Sequence, residues 1–164
     1  MRATSAFELN DPRGVRVQGT VLALALRPIK STAMALCATL TLSPDEGVIG
    51  DHGTSLRRQV TILDIASWNA ACGDVDISLP WTSRRANILV ENLDLKSLVG
   101  QTIRIGTALA KVRGEVVPCY VMDAAHLGLK DAMKSEWRGG VFAQILQRGT
   151  VKIDDKITLI HSSQ

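Results

Sequence analysis

The feature that most constrains this chain is the brevity of its apolar runs, which alternate with polar residues and are cut repeatedly by glycine, proline and aspartate. Val15 and Val17 alternate with Arg16 and Gln18 before the chain runs apolar to Leu26. Ala38 to Leu42 alternates apolar residues with threonine, and Val60-Thr61-Ile62-Leu63 continues the pattern. A period of two is the mark of a strand with one buried face. Ala86 to Val90, Ala108 to Val117 and Val141 to Leu146 extend the series, and Val99 to Ile105 and Ile153 to Leu159 each read as a turn feeding an alternating strand. Helical spacing is confined to two stretches. Asp64 can cap a helix whose Ile65, Trp68 and Cys72 share a face and which Gly73 ends. Leu129, Ala132, Met133 and Trp137 predict a second helix, broken at Gly139-Gly140. Leu93 to Leu98 reads as one short helical turn. Many short strands with few helices predict a mainly β, α+β domain that is β-barrel-like with inserted helices. At 164 residues the chain suits one domain, expected at 15–164 behind a polar lead-in at 1–14. Only 4% of residues are aromatic, so Val, Leu, Ile and Ala must fill the core.

Charge and cysteine usage narrow the partners. A formal charge of +3 points weakly to small anionic ligands and gives no nucleic-acid surface. The N-terminus lacks a signal-peptide pattern, and no apolar run reaches the length of a membrane span, so a membrane role is not expected. Cys37, Cys72 and Cys119 are odd in number and scattered, which fits a reducing cytoplasm better than a disulfide framework or a zinc site. His52, His126 and His161 have no metal-ligand spacing, and no phosphate loop or dinucleotide fingerprint is present.

Chemistry concentrates in four segments: Gly47 to His52 with Arg57-Arg58, Trp81 to Ile88, Glu115 to Cys119, and Trp137 to Val141. Together they combine one thiol with several guanidinium groups. Arginine binds phosphate and planar anions through two parallel bonds. Arginines near a cysteine favour thiolate, the form that attacks sulfur or binds a soft metal. Pro118 can end a strand and hold Cys119 at its mouth, and Gly139-Gly140 permits close backbone approach. Each piece also has a structural alternative. Cys119 could be a small buried hydrophobe, Arg84-Arg85 a solvated strand edge, Asn87 an edge residue and Gly50-Asp51 a plain turn. A thiolate–imidazolium couple of Cys119 with His126 has only sequence proximity behind it. Cys37 and Cys72 read as packing residues.

In their order and spacing the four segments resemble the MOSC domain, the C-terminal domain of molybdenum cofactor sulfurases, which also occurs alone in bacterial proteins. The resemblance spans about Val15 to Ile160. It rests on Gly-x-x-Gly-Asp at Gly47 to Asp51, Arg-Arg-x-Asn at Arg84 to Asn87 and Pro118-Cys119, with Val99-Gly100 and Arg138-Gly139-Gly140 in support. It implies a barrel-like β fold and a role in handling the molybdenum cofactor or its sulfur. Cys119 then corresponds to a sulfur carrier or a thiolate ligand of molybdenum. Arg84, Arg85, Asn87, Arg138 and Asp51 become cofactor-binding candidates. Pro28-Ile29-Lys30-Ser31 is similar to a Pro-x-Lys-Ser stretch of cofactor-binding relatives, which adds Lys30 and Ser31 as phosphate contacts. This chain has Asp51-His52 where those relatives have Asp-Arg.

Two functions follow from the resemblance. A cofactor-bound form would reduce N-hydroxylated compounds with an electron-transfer partner, and a carrier would take sulfur from a donor protein onto Cys119 as a persulfide. Nothing in the chain resembles a pyridoxal phosphate-binding desulfurase domain. A third reading is a non-enzymatic β-barrel binding or scaffold module in which Cys119 is buried.

Overall fold

The computed structural model describes residues 17–53 and 55–160. The expected lead-in at 1–14, the strand start at Val15 and His161 lie outside the described residues. In chain order the strands are β1 (Val17–Leu26), β2 (Ala35–Cys37), β3 (Thr39–Ser43), β4 (Gly47–Val48), β5 (Val60–Asp64), β6 (Ile88–Glu91), β7 (Thr102–Ile105), β8 (Ala108–Glu115), β9 (Val141–Gln147), β10 (Gly149–Lys152) and β11 (Lys156–Ile160). The helices are α1 (Ile65–Asp74), α2 (Tyr120–Ala125) and α3 (Leu129–Lys134).

Strands β11, β7, β8, β9, β5, β6 and β1 pair in that order, and β1 returns to β11, closing a seven-stranded barrel. Closure leaves no open edge around the ring. β1 makes it possible by pairing with β11 through Val17 to Thr20 and with β6 through Thr20 to Leu24. Register shifts at Val17/Gly19 and Val21/Ala23 bend the strand between these partners. Gly19 sits at the bend, where a Cβ would lie 2.5 Å from the Glu91 carbonyl oxygen. All ladders are antiparallel except β5 with β6. A second sheet, β10-β3-β4, sends Leu40, Leu42, Val48 and Val151 into the same core.

Alternation on β5 and β6 gives the wall two apolar faces. Val60, Ile62, Ile88 and Val90 fill the barrel, while Leu63 and Leu89 face the helices. There they meet Trp68 and Cys72 of α1, Met122 of α2, and Leu129 and Met133 of α3. Side chains of the Leu and Met kind each contribute about 1.5–3 kcal/mol when fully buried. Asp64 caps α1 by accepting from Ser67 N, and the Trp68 indole donates to the Leu79 carbonyl at 3.1 Å. Among the described residues no helix is long and apolar enough to cross a membrane.

The fold class agrees with the sequence expectation, and the differences are local. The helix predicted from Leu129 to Trp137 ends at Lys134, and Glu136 and Trp137 then take left-handed backbone (φ 54° and 56°). This turns Trp137 toward the barrel core and away from the helical face. The strand predicted from Ala86 begins at Ile88, because Trp81–Arg84 is a 3-10 turn and Arg85 is left-handed (φ 67°). β8 stops at Glu115, short of Val117. Helix α2 was not expected, since Tyr120–Ala125 is a short segment with one buried residue, Met122.

Gln59 ties the two sheets together from a buried position. Its side-chain oxygen accepts from Ile145 N at 2.7 Å and its amide donates to the Pro44 carbonyl at 2.6 Å. Gln59→Leu leaves both backbone groups unpaired, and an expected loss of about 1–3 kcal/mol should appear as a lower urea midpoint with an unchanged slope.

Candidate functional site

At one end of the barrel, β1 and β8 finish and β6 and β9 begin. The segments that leave these ends line a cleft of about 210 Å³. Arg27 comes from the end of β1, Asp51 and Gly53 from the loop after β4, Arg58 and Thr61 from the approach to β5 and from β5 itself. Arg84, Arg85, Ala86 and Asn87 come from the turn before β6, and Val116 and Cys119 from the segment after β8. Met34, Val121, Met122 and Gly139 complete the wall.

Arg84 is the inner member of this group and only 8% exposed. Its Nε donates to the Gly139 carbonyl at 3.1 Å and its Nη2 to the Val116 carbonyl at 2.8 Å. Burial pushes its pKa down to about 10, with the charge of Cys119 opposing that shift, Arg58 adding to it and Glu115 opposing it. The guanidinium therefore stays protonated at neutral pH. Gly139 permits this packing, since a Cβ there would lie 2.5 Å from Val116 O and 3.0 Å from Arg84 Nη2.

Asn87 is buried and its groups are largely committed to the barrel. Its side-chain oxygen accepts from Thr61 N and Oγ1, both at 3.1 Å, and its amide donates to the Ala25 carbonyl at 3.3 Å. One residue thus joins β1, β5 and β6 beneath the cleft. Asp51 has a comparable task in the loop. Its carboxylate accepts from Arg27 N at 2.6 Å and from Gly53 N at 2.9 Å, and Arg27 O in turn accepts from His52 N. Gly47 and Gly50 bring the loop there through left-handed backbone, φ 73° and 87°.

Cys119 lies just before α2, at its N-cap position, and is exposed. Cys37 is half-buried against the barrel core and Cys72 is buried under the helices, and desolvation pushes both thiols up. Around Cys119 the chemistry is cationic. Among the described residues, Arg27, Arg58 and Arg85 make no ion pair with a carboxylate. Arg58 lies 5.6 Å from the centroid of the Phe142 ring, a cation–π contact that supports the guanidinium without neutralising it. His126 is not a wall residue, and its Nδ1 lies 2.9 Å from the Leu127 carbonyl, so no thiolate–imidazolium couple forms.

The family model for the MOSC domain matches residues 50–158, the stretch that carries most of this cleft. The chain belongs to the MOSC domain family. That family is linked to the molybdenum cofactor. The fold is similar to that of the YuaD protein from Bacillus subtilis, with a TM-score of 0.72 at 21% identity over 89% of this chain and 97% of that one. It is also similar to YiiM from Escherichia coli, with a TM-score of 0.67 at 15% identity over 88% and 71% of the two chains. YiiM from Geobacillus stearothermophilus gives a TM-score of 0.65 at 13% identity over 90% and 75%. No curated protein matches the chain.

Within this MOSC domain the candidates separate into three groups. Cys119 and Arg85 reach the cleft exposed. Arg84, Asn87 and Asp51 also line it, but most of their polar groups hold the protein's own backbone. Lys30, Ser31 and Arg138 are not wall residues. Lys30 and Ser31 are exposed on the loop between β1 and β2, whose ends Arg27 and Met34 do line the cleft. Arg138 donates to Asp74 at 2.5 Å and to the Ala132 carbonyl at 3.0 Å, locking α3 to the end of α1. Sequence reasoning passed over Arg27 and left Arg58 outside the candidates. The clue to Arg27 was a charge ending an apolar strand, and the clue to Arg58 was its place beside Gln59-Val60.

The close approach at Gly139 makes a specific test. Gly139→Ala should push Val116 and the Arg84 guanidinium apart and lower stability by about 1–3 kcal/mol. Urea denaturation should show the loss, and alkylation of Cys119 in the folded variant should change rate.

Proposed function

We propose that this MOSC protein carries sulfur on Cys119 as part of handling the molybdenum cofactor or its sulfur. The observation behind this reading is an exposed thiol on a cleft whose Arg27, Arg58 and Arg85 have no carboxylate partner among the described residues. As thiolate, Cys119 attacks the sulfane sulfur offered by a donor protein and becomes a persulfide. The arginines hold the anion that results, and an acceptor thiolate or cofactor then removes the outer sulfur. Exposure of Cys119 suits transfer between proteins, because both donor and acceptor must reach it. It also counts against the buried thiol assumed for a scaffold module.

A second reading keeps the cofactor on the protein. Its donor set fits: a soft thiolate suits molybdenum and guanidinium groups suit a terminal phosphate. Cys119 would be the ligand to the metal, and Arg27, Arg58 and Arg85 would hold the phosphate. When bound, the cofactor would supply two-electron redox chemistry, such as reduction of N-hydroxylated compounds with an electron-donating partner. The chain's own residues would bind and orient it. Two features favour the carrier over this reading. At about 210 Å³ the cleft is below the roughly 300–1,000 Å³ of pockets that enclose drug-sized ligands. Lys30, Ser31 and Arg138, three of the expected cofactor contacts, also stand off its wall.

Anaerobic incubation of the reduced protein with a cysteine desulfurase and cysteine tests the proposal. Intact mass should rise by one sulfur atom, located on Cys119 and absent from Cys119→Ala. Molybdenum that co-purifies from a molybdenum-replete host and is lost in Cys119→Ala, with no sulfur loading, would replace the carrier with the cofactor-bound reading. Iodoacetamide gives a simpler check. Cys119 should react in the folded state, ahead of Cys72, which should react only on unfolding.

A further inference from the structure

We infer that the cleft accepts a small sulfane-sulfur oxyanion, of which thiosulfate is the simplest member, as a direct sulfur donor to Cys119. The inference rests on the carrier reading and adds a donor that is a small molecule and not a protein. Three independent features point to such a ligand.

The first is charge. The wall carries four guanidinium groups, from Arg27, Arg58, Arg84 and Arg85, against the one carboxylate of Asp51. Asp51 spends both oxygens on the backbone N–H groups of Arg27 and Gly53. Even with Cys119 as thiolate, the wall keeps an excess of positive charge that a dianion neutralises. A neutral sulfur donor would leave that charge unmet.

The second is an incompletely used buried donor. Arg84 is only 8% exposed, and its hydrogen bonds to backbone occupy Nε and Nη2. Among the described residues Nη1 has no protein acceptor, although the residue lines the cleft. Buried guanidinium N–H groups ordinarily find an oxygen. An oxyanion against this residue supplies one, in the planar geometry arginine favours.

The third is size together with the position of the thiol. A cleft of about 210 Å³ holds a compact anion with room to spare, and Cys119 is an exposed wall residue. The step needs no further reactant. The Cys119 thiolate attacks the outer sulfur of thiosulfate, a new S–S bond forms, and the donor's S–S bond breaks. Its electron pair leaves with sulfite, and Cys119 becomes a persulfide. Charge builds on the departing sulfite, where the guanidinium groups of the cleft wall stabilise it. Cyanide can then take the outer sulfur as thiocyanate and return the thiolate.

The test uses the reduced full chain with thiosulfate under anaerobic conditions, followed by intact mass and by thiocyanate release on adding cyanide. Cys119 should gain one sulfur, and Cys119→Ala should gain none. Arg58→Gln and Arg85→Gln should each lower the loading rate about tenfold or more, as loss of a charge-assisted bond implies. The rate is compared with alkylation by neutral iodoacetamide, so that a change in the thiol itself cancels and only anion recognition remains. Arg148→Gln removes a charge from the turn after β9, at the barrel end opposite Gly139, and should leave the loading rate as it was. Loading by desulfurase but not by thiosulfate would overturn the donor inference and leave the carrier standing. Loading that is indifferent to Arg58 and Arg85 would overturn the role of the cleft. Failure of both donors would sink the inference and the carrier reading together.

Discussion

The contact between the Arg84 guanidinium and the carbonyls of Val116 and Gly139 is the one on which the cleft depends. Burying a charge costs several kcal/mol unless polar atoms meet it. Here the two carbonyls belong to segments far apart in sequence, one leaving β8 and the other entering β9. Joined through Arg84, they fix the height at which Pro118 and Cys119 leave the barrel. Gly139 is the concession that makes the contact possible, because any side chain there would collide with Val116. The charge that holds the site together also lends it a positive field.

The remaining wall is built on the same economy. Asn87 binds β1 and β5 from the first turn of the β6 segment, and Asp51 binds the end of β1 to its own loop. These polar residues spend their hydrogen bonds on backbone, and so rigidify the cleft where three strands meet. Arg27, Arg58 and Arg85 line the cleft without a carboxylate partner among the described residues. A stiff inner ring with outer cations suits a site that recognises an anion beside a thiol. It also explains why the motif residues and the residues with uncommitted charge on the wall only partly coincide.

Much of the fold was legible from local pattern. Val60-Thr61-Ile62-Leu63 and Ile103-Arg104-Ile105 alternate, and both are strands of the barrel. Asp64, Trp68 and Cys72 mark α1 with a cap and a face. The pattern failed where tertiary packing overrode it. Trp137 has helical spacing from Met133, yet the chain kinks at Glu136 so that the indole reaches the barrel core. Arg85 and Asn87 looked like strand residues, but the turn ahead of β6 is needed to drop Asn87 between β1 and β5. β2, β4 and α2 are too short for periodicity to register.

For the site, the sequence alone determined the chemistry on offer: one cysteine beside a proline, several arginines, and glycines placed to let backbone come close. Residue type carries that information, because a thiol or a guanidinium brings its reactivity wherever it stands. Only the tertiary structure decided which groups are spent and which remain. Arg84 and Arg138 look alike in sequence, each beside a partner motif, yet one is a buried wall of the cleft and the other is paired with Asp74. Arg27, a residue at the end of an apolar run, became part of the wall once β1 ended beside the Asp51 loop. Hydrogen-bond partners distant along the chain settle such questions, and they exist only after the barrel has closed.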